Sequence, residues 1–208
     1  MRIILLLFVL CTICFSCERN DTIVSNNTGW IVNFPDSNLA LAIREVLDKP
    51  IGEITRFELL NIKTLTAISR GIVRLDGIGF LNNLEYLDLS FNAIIEIEDI
   101  ASLTKLRYLS FLDNKIIKVD SLRGLTELRT LKLDLNAIND ISFLAYLPNL
   151  SEATLSWNYI GDIYPIFINQ NYGEGDGFDL RENPLGLISK NEYIPALIDR
   201  GVLIVYSP

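Results

Sequence analysis

A chain of 208 residues, half of them hydrophobic and with a net charge of −8, is long enough for one domain with a sizeable core. The acidity argues against binding nucleic-acid phosphates, which takes a clustered basic face. The absence of histidine excludes Ser-His-Asp and Cys-His catalysis and imidazole metal sites, and leaves only carboxylate chemistry to the 26 acids.

Arg2 is followed by an almost unbroken apolar run from Ile3 to Phe15. About thirteen helical residues span about 20 Å, short of a hydrocarbon core of roughly 30 Å. The run is therefore predicted to be the core of an export signal, not a membrane-spanning helix. It ends at Cys14-Phe15-Ser16-Cys17 and turns polar at Glu18-Arg19-Asn20-Asp21. All the cysteines (Cys11, Cys14 and Cys17) lie here, so no disulfide framework is open to the rest of the chain. Ser16-Cys17 resembles a bacterial lipobox, in which a small residue precedes the cysteine that receives lipid. Cys14 and Phe15 depart from its usual Leu and small residue. The resemblance implies a signal peptide over 1–16 and a diacylglyceryl thioether on Cys17. Several acyl chains at about 0.8 kcal/mol per buried CH₂ make a stable anchor. An ordinary cleaved signal with an incidental cysteine is the alternative. Residues 17–33 hold that cysteine and a polar, non-periodic stretch that reads as a flexible tether.

Residues 34–61 are expected to form a helical cap. Leu39, Ile43, Val46 and Leu47 recur at helical spacing after Asp36-Ser37, and Pro50 and Gly52 follow. Thr55-Arg56-Phe57-Glu58 has the capping-box pattern and opens a second short helix through Leu60.

A repeat fills residues 62–188. Leu84, Leu87, Leu89, Asn92, Ile94 and Ile97 recur 22 residues on as Leu106, Leu109, Phe111, Asn114, Ile116 and Val119. They recur again as Leu128, Leu131, Leu133, Asn136, Ile138 and Ile141, and as Leu150, Ala153, Leu155, Asn158, Ile160 and Ile163. One step back, Ile62, Leu65, Ala67, Ile72 and Leu75 fit, with Arg70 in the asparagine place. Phe178, Leu180, Asn183, Leu185 and Ile188 restore the pattern three residues late, so Asn169 to Gly177 is expected to protrude as a loop. Its Glu174 and Asp176, with Asp179, lack the spacing of a helix-loop-helix calcium loop and read as a glycine-rich bulge. No metal and no cofactor is expected.

This recurrence resembles the leucine-rich-repeat family in its short bacterial form. The implied fold class is α/β: a right-handed leucine-rich-repeat solenoid of about six coils with a parallel concave β-sheet, a helical N-terminal cap and a C-terminal helix-strand cap. One coil cannot bury its own apolar face, and stacked coils share a continuous core. Asn92, Asn114, Asn136, Asn158 and Asn183 fall where the chain leaves the strand. An amide both donates and accepts, so a stacked column of them is expected to satisfy turn backbone groups between coils. Lys190 to Arg200, Gly201 and Val202 to Tyr206 supply a closing helix and strand within 189–208. The segments Phe34-Pro35-Asp36, Ala42-Ile43-Arg44, Ile54-Thr55 and Gly71-Ile72 through Leu75-Asp76-Gly77-Ile78 are similar to the N-terminal cap and first repeat of internalins. Those are bacterial surface leucine-rich-repeat proteins that bind host receptors, and the resemblance implies extracellular placement and a binding role.

Residues between the inward leucines face the concave surface. Tyr86, Asp88, Phe91, Tyr108, Leu112, Asp113, Lys132, Asp134, Leu135 and Trp157 are the candidate partner-binding residues. Aromatic and apolar groups there are not needed by the core and make good interface anchors. The acids are suited to orient a basic partner. Phe91 and Trp157 lying sideways to cover neighbouring coils is the structural alternative. About six coils at roughly 4.8 Å give a face about 25 Å long, suited to a protein edge, peptide or glycan and not to a small metabolite.

The sequence thus reads as a lipid-anchored bacterial cell-envelope protein, not an enzyme, monomeric, that binds a protein partner through the concave face, in adhesion or host interaction. A structural envelope protein without a selective ligand is one alternative. An intracellular scaffold like eukaryotic phosphatase regulators is another, disfavoured by the leader. A carboxylate glycosidase using Asp88 and Asp134 is the remaining reading, with the pair about 10 Å apart on an open surface.

Overall fold

Three-residue strands recur because each coil supplies one short stretch whose central side chain points in and whose neighbours point out. The computed structural model describes residues 31–207. The leader, Cys17 and most of the tether lie outside them. The strands are β1 (Thr64–Thr66), β2 (Tyr86–Asp88), β3 (Tyr108–Ser110), β4 (Thr130–Lys132), β5 (Glu152–Thr154), β6 (Gly177–Asp179) and β7 (Leu203–Val205). They form one parallel sheet in chain order. Leu65 pairs with Leu87, Leu109, Leu131 and Ala153 in turn, so the sequence period is also the ladder register.

The residues at the centres of β1 to β6 are buried, as are Ile78, Ile100, Leu122 and Leu144 on the far side of each coil, while Ile204 of the closing strand is partly buried. Between them the chain makes short 3-10 turns at Ile78–Phe80, Glu98–Ser102, Asp120–Gly124 and Ser142–Tyr146, and one short helix, α3 (Tyr164–Ile168 in chain order after α1 and α2 below). The core is one continuous apolar column from Val32 to Val202.

The asparagines form a ladder beside this core. Asn136 Oδ1 accepts from Ile116 N–H of the preceding coil at 2.9 Å. Its Nδ2 donates to Phe111 C=O at 2.9 Å and to Leu133 C=O at 3.1 Å. Asn92, Asn114, Asn158 and Asn183 make the same three contacts. Each strand-end carbonyl thus accepts from two amides, its own coil's and the next one's, which uses both lone pairs. In the first coil Arg70 has no amide to offer. Its guanidinium instead grips Glu45 of the cap at 2.7 and 3.0 Å, and its N–H donates to Asn92 Oδ1.

The cap consists of α1 (Ser37–Val46) and α2 (Arg56–Leu59). Helix α1 turns Leu39, Ala42 and Ile43 towards β1, while Val46 is exposed. Ile31 to Asn33, assigned above to the tether, belong to the cap: Ile31 bridges Thr55 and Val32 is buried. Gly77 sits under this segment with φ 90°, where a Cβ would lie 2.8 Å from Asn33 O.

Asp36 joins cap to coil. One oxygen accepts from Asn38 and Leu39 N–H at the start of α1, and the other from Val73 and Arg74 N–H of the first coil. Burial pushes this carboxyl up, but the four N–H donors outweigh it and hold the pKa below its ordinary value. Asp36→Ala is expected to cost about 2 kcal/mol, a lost helix cap plus two orphaned coil donors. The folded pKa lies below the unfolded one, so this contribution is complete above about pH 4 and fades as pH falls through the folded value. Urea unfolding at pH 7 should separate the variant from wild type, and the two should converge in strong acid. Glu58 closes the expected capping box with Thr55. The Lys49 ammonium beside it, with the Thr55 donors, lowers its pKa to about 2.

The segment 169–177 does not protrude. Asn169 is buried and donates to Leu144 C=O at 2.9 Å. Tyr172 is fully buried, its hydroxyl donating to Leu144 C=O at 2.8 Å and its ring packed edge-on against Phe178. The three extra residues let a large aromatic fold back into the core beside Phe178. Ile188, expected to face inward, is 56% exposed, and Ser189 is buried in its place, accepting from Ile163 N–H and donating to Gly161 C=O. The closing helix starts as one wide turn over Ser189–Tyr193 and tightens into α4 (Ile194–Asp199). Pro195 lacks the N–H that would continue an α-helical ladder upstream, which accounts for the widening. Among the described residues no helix is long and apolar enough to cross a membrane.

Candidate functional site

The open face of the sheet divides into three parts. On β2 and β3, Tyr86 and Tyr108 stack with centroids 4.2 Å apart and 5° between planes. Thr130 continues the row on β4, and Lys132, two residues on, reaches back with its Nζ 5.8 Å from the Tyr108 ring centre. The row follows from a parallel register that sets equivalent residues side by side, roughly one strand spacing apart. Both tyrosines are half-buried. Burial raises the Tyr86 phenol above its ordinary pKa. Tyr108 is thus held between Tyr86 and Lys132 and has a packing role of its own.

The second part is a polar floor that is closed on itself. Asp88, expected to be open to a partner, is only 8% exposed. It accepts from Ser90 N–H at 3.0 Å and Ser90 Oγ at 2.5 Å, and Ser90 Oγ meets Ser110 Oγ at 2.7 Å. Asp134 accepts from Ser156 N–H at 3.0 Å, from Ser156 Oγ at 2.6 Å and from Thr154 Oγ1. Small hydroxyl residues on adjacent strands let these carboxylates fold down onto the sheet. Backbone and hydroxyl donors hold both carboxylates down, and burial leaves Asp88 little surface to offer a partner. Asp179 is likewise held by Arg181 at 2.5 Å.

The third part is a column at the strand ends. Ser69, Phe91, Asp113, Leu135, Trp157 and Glu182 all have left-handed backbones, with φ between 53° and 57°. Each of the first five donates its N–H to a carbonyl of the next coil, as Phe91 does to Leu112 O at 2.7 Å and Trp157 to Arg181 O at 3.0 Å. The turn is required by the coil, and no glycine is supplied for it. Phe91 is 47% exposed, Leu135 43% and Trp157 58%. With half-buried Leu112 they make an apolar stripe across β2 to β5. Asp113 interrupts it as an exposed acid. The left-handed column has no signal in the sequence, because its residue types share nothing.

Residues outside the candidate set complete the face. Gly177 leaves the side-chain row empty, and a hollow of about 230 Å³ opens there, lined by Glu152, Thr154, Asp179, Leu203 and Val205. Leu203 and Val205 are exposed on β7, which pairs only with β6. The alternation in Val202-Leu203-Ile204-Val205 was the available signal. Among the described residues no group of three acids stands ready to hold a metal ion.

Residues 82–125 match the family described as Leucine Rich repeats (2 copies). No curated protein sequence matches the chain. Among solved structures, an internalin (inlF) from Listeria monocytogenes is 28% identical with a TM-score of 0.66, covering 83% of this chain and 56% of that one. The chain therefore spans little more than half the length of that internalin. A leucine-rich-repeat protein from Leptospira interrogans is 24% identical with a TM-score of 0.49, covering 62% of this chain and 38% of that one. Internalin C2 from Listeria monocytogenes is 24% identical with a TM-score of 0.43, covering 84% and 94%. Folds of this kind are in general protein-interaction scaffolds and not enzymes. The repeat match, the open parallel sheet and the likeness to that internalin support a bacterial, internalin-like leucine-rich-repeat protein.

Proposed function

We propose that the protein is a bacterial cell-envelope lipoprotein, anchored through lipid on Cys17, that captures a protein partner on the open face of its sheet, in adhesion or host interaction. One observation carries the binding reading. Phe91, Leu135 and Trp157 are exposed and occupy left-handed backbone positions. A large L side chain there costs about 1 kcal/mol or more relative to glycine, and exposing it to water costs solubility. A sequence selected for folding alone would relieve both costs with glycine, asparagine or a small polar residue. Contact with a partner is the use that repays them. The self-satisfied floor beneath gives that contact a rigid base and no competing charge. The partner chemistry that fits is an apolar or aromatic ridge laid along the stripe.

Immobilised domain carrying Phe91→Gly, Leu135→Gly and Trp157→Gly should fold like wild type and retain no partner from a surface-protein extract that wild type retains. Equal retention by both would remove this face from the reading. The anchor is tested separately by mass spectrometry of the mature N-terminus. A diacylglyceryl mass on Cys17 is expected, and an unmodified Cys17 or an intact Met1 would rule it out.

A further inference from the structure

The hollow at Gly177 is a recess on the open face, and its lining is chemically uneven. Its floor is backbone, because Gly177 contributes no side chain between Glu152 and Leu203 in the paired row. Its outer wall is apolar: Leu203 is 66% exposed and Val205 50%. Of its two carboxylates, Asp179 is committed to Arg181. Glu152 is exposed and takes part in none of the ion pairs among the described residues. Thr154 donates its hydroxyl to Asp134 and is also spoken for. What remains is a narrow apolar slot with a single uncommitted negative charge at its mouth.

An apolar side chain would cover the wall and leave Glu152 unanswered. A guanidinium could pair with both oxygens of Glu152, but its three-carbon stem covers less of the wall than lysine's four. A long aliphatic stem ending in a compact ammonium matches both halves, with the stem against the wall and the charge kept near water. We propose that this hollow receives a lysine side chain of the captured protein, its stem between Leu203 and Val205 and its ammonium on Glu152. The inference rests on the open face being the binding face, and it adds a specificity pocket two strands beyond Lys132.

Gly177 offers a clean variant. A Cβ there meets nothing closer than Leu203 Cβ and O at 3.9 Å, so Gly177→Leu fills the slot without moving the backbone. The probe is Nα-acetyl-lysine methylamide, titrated into isotopically labelled domain at low salt with amide shifts followed by NMR. Saturable shifts are expected at Gly177, Phe178 and Leu203. They should be absent in Gly177→Leu and about fivefold weaker in affinity in Glu152→Gln, the size of one exposed charge pair. The norleucine analogue, alike in stem but uncharged, should bind no better than the Glu152→Gln protein binds lysine. No shifts with the lysine probe, equal shifts in Gly177→Leu, or equal binding of the norleucine probe would each overturn the proposal. A partner lost by Trp157→Gly yet held by Gly177→Leu would overturn the lysine pocket while leaving the face intact.

Discussion

Asn136→Ala should destabilise the protein by about 3–4 kcal/mol, the largest loss expected from any single polar side chain here. The amide ties three backbone groups on two coils. Phe111 and Leu133 carbonyls would each keep one donor, from Asn114 and Asn158. Ile116 N–H would keep none, in a position sealed from water. An orphaned buried donor costs about 1–3 kcal/mol, and two lost bonds add about 1 kcal/mol each. Asn136→Asp should be worse, because a carboxylate keeps the shape but presents oxygen to two carbonyls. Thermal unfolding should show a drop on the order of 10 °C for the alanine variant. A loss below about 1 kcal/mol would mean that water substitutes for the amide, and the ladder would then be a consequence of stacking and not a cause of it.

The second large effect is on binding without a matching effect on stability. Trp157→Gly should weaken partner capture about 30-fold, the 2 kcal/mol typical of a buried aromatic anchor. The folded protein should be little changed. Glycine relieves the left-handed backbone at φ 57°, worth about 1 kcal/mol, and gives back a similar amount in unfolded-chain entropy. Trp157→Ala should lose capture equally and, keeping the backbone strain without the added chain entropy, should lie within about 1 kcal/mol of the glycine variant in stability. Calorimetric melting alongside binding curves would check both. A melting loss above about 2 kcal/mol in the glycine variant would show that the indole covers its neighbouring coils, and the case for contact at this position would fail.

Most of the fold was legible in the sequence because its signal is repeated. Leu84, Leu106, Leu128 and Leu150 carry the same message, and any one could be wrong without harm. The failures lie where the repeat stops being a repeat. Ile188 has the right spacing but belongs to a closing helix, so Ser189 takes the inward place. Asn169 to Gly177 has loop composition, yet Tyr172 is fully buried against Phe178 with its hydroxyl on Leu144 C=O, and such a long-range fit has no local signature. On the open face, spacing told which residues point out but not which are left free. Asp88 and Asp134 point outward and are then taken by Ser90, two residues on in the same coil, and by Ser156 of the next coil, a matter of hydroxyl placement that the spacing of leucines does not report. The same limit hid the left-handed column, since backbone angle is set there by the coil and not by the residue.

The doubly shared carbonyls have a consequence for how such a chain can change over time. Phe111 O accepts from amides on both its own turn and the following one, and Ile116 N–H is answered only by the following one. A segment cut out or duplicated as a whole period re-forms every one of these links at the new junction. A fractional change re-forms them only where the coil takes up the difference away from the strand end, as the three residues added before β6 do. Growth by copying whole periods is therefore the simplest route that leaves each intermediate folded.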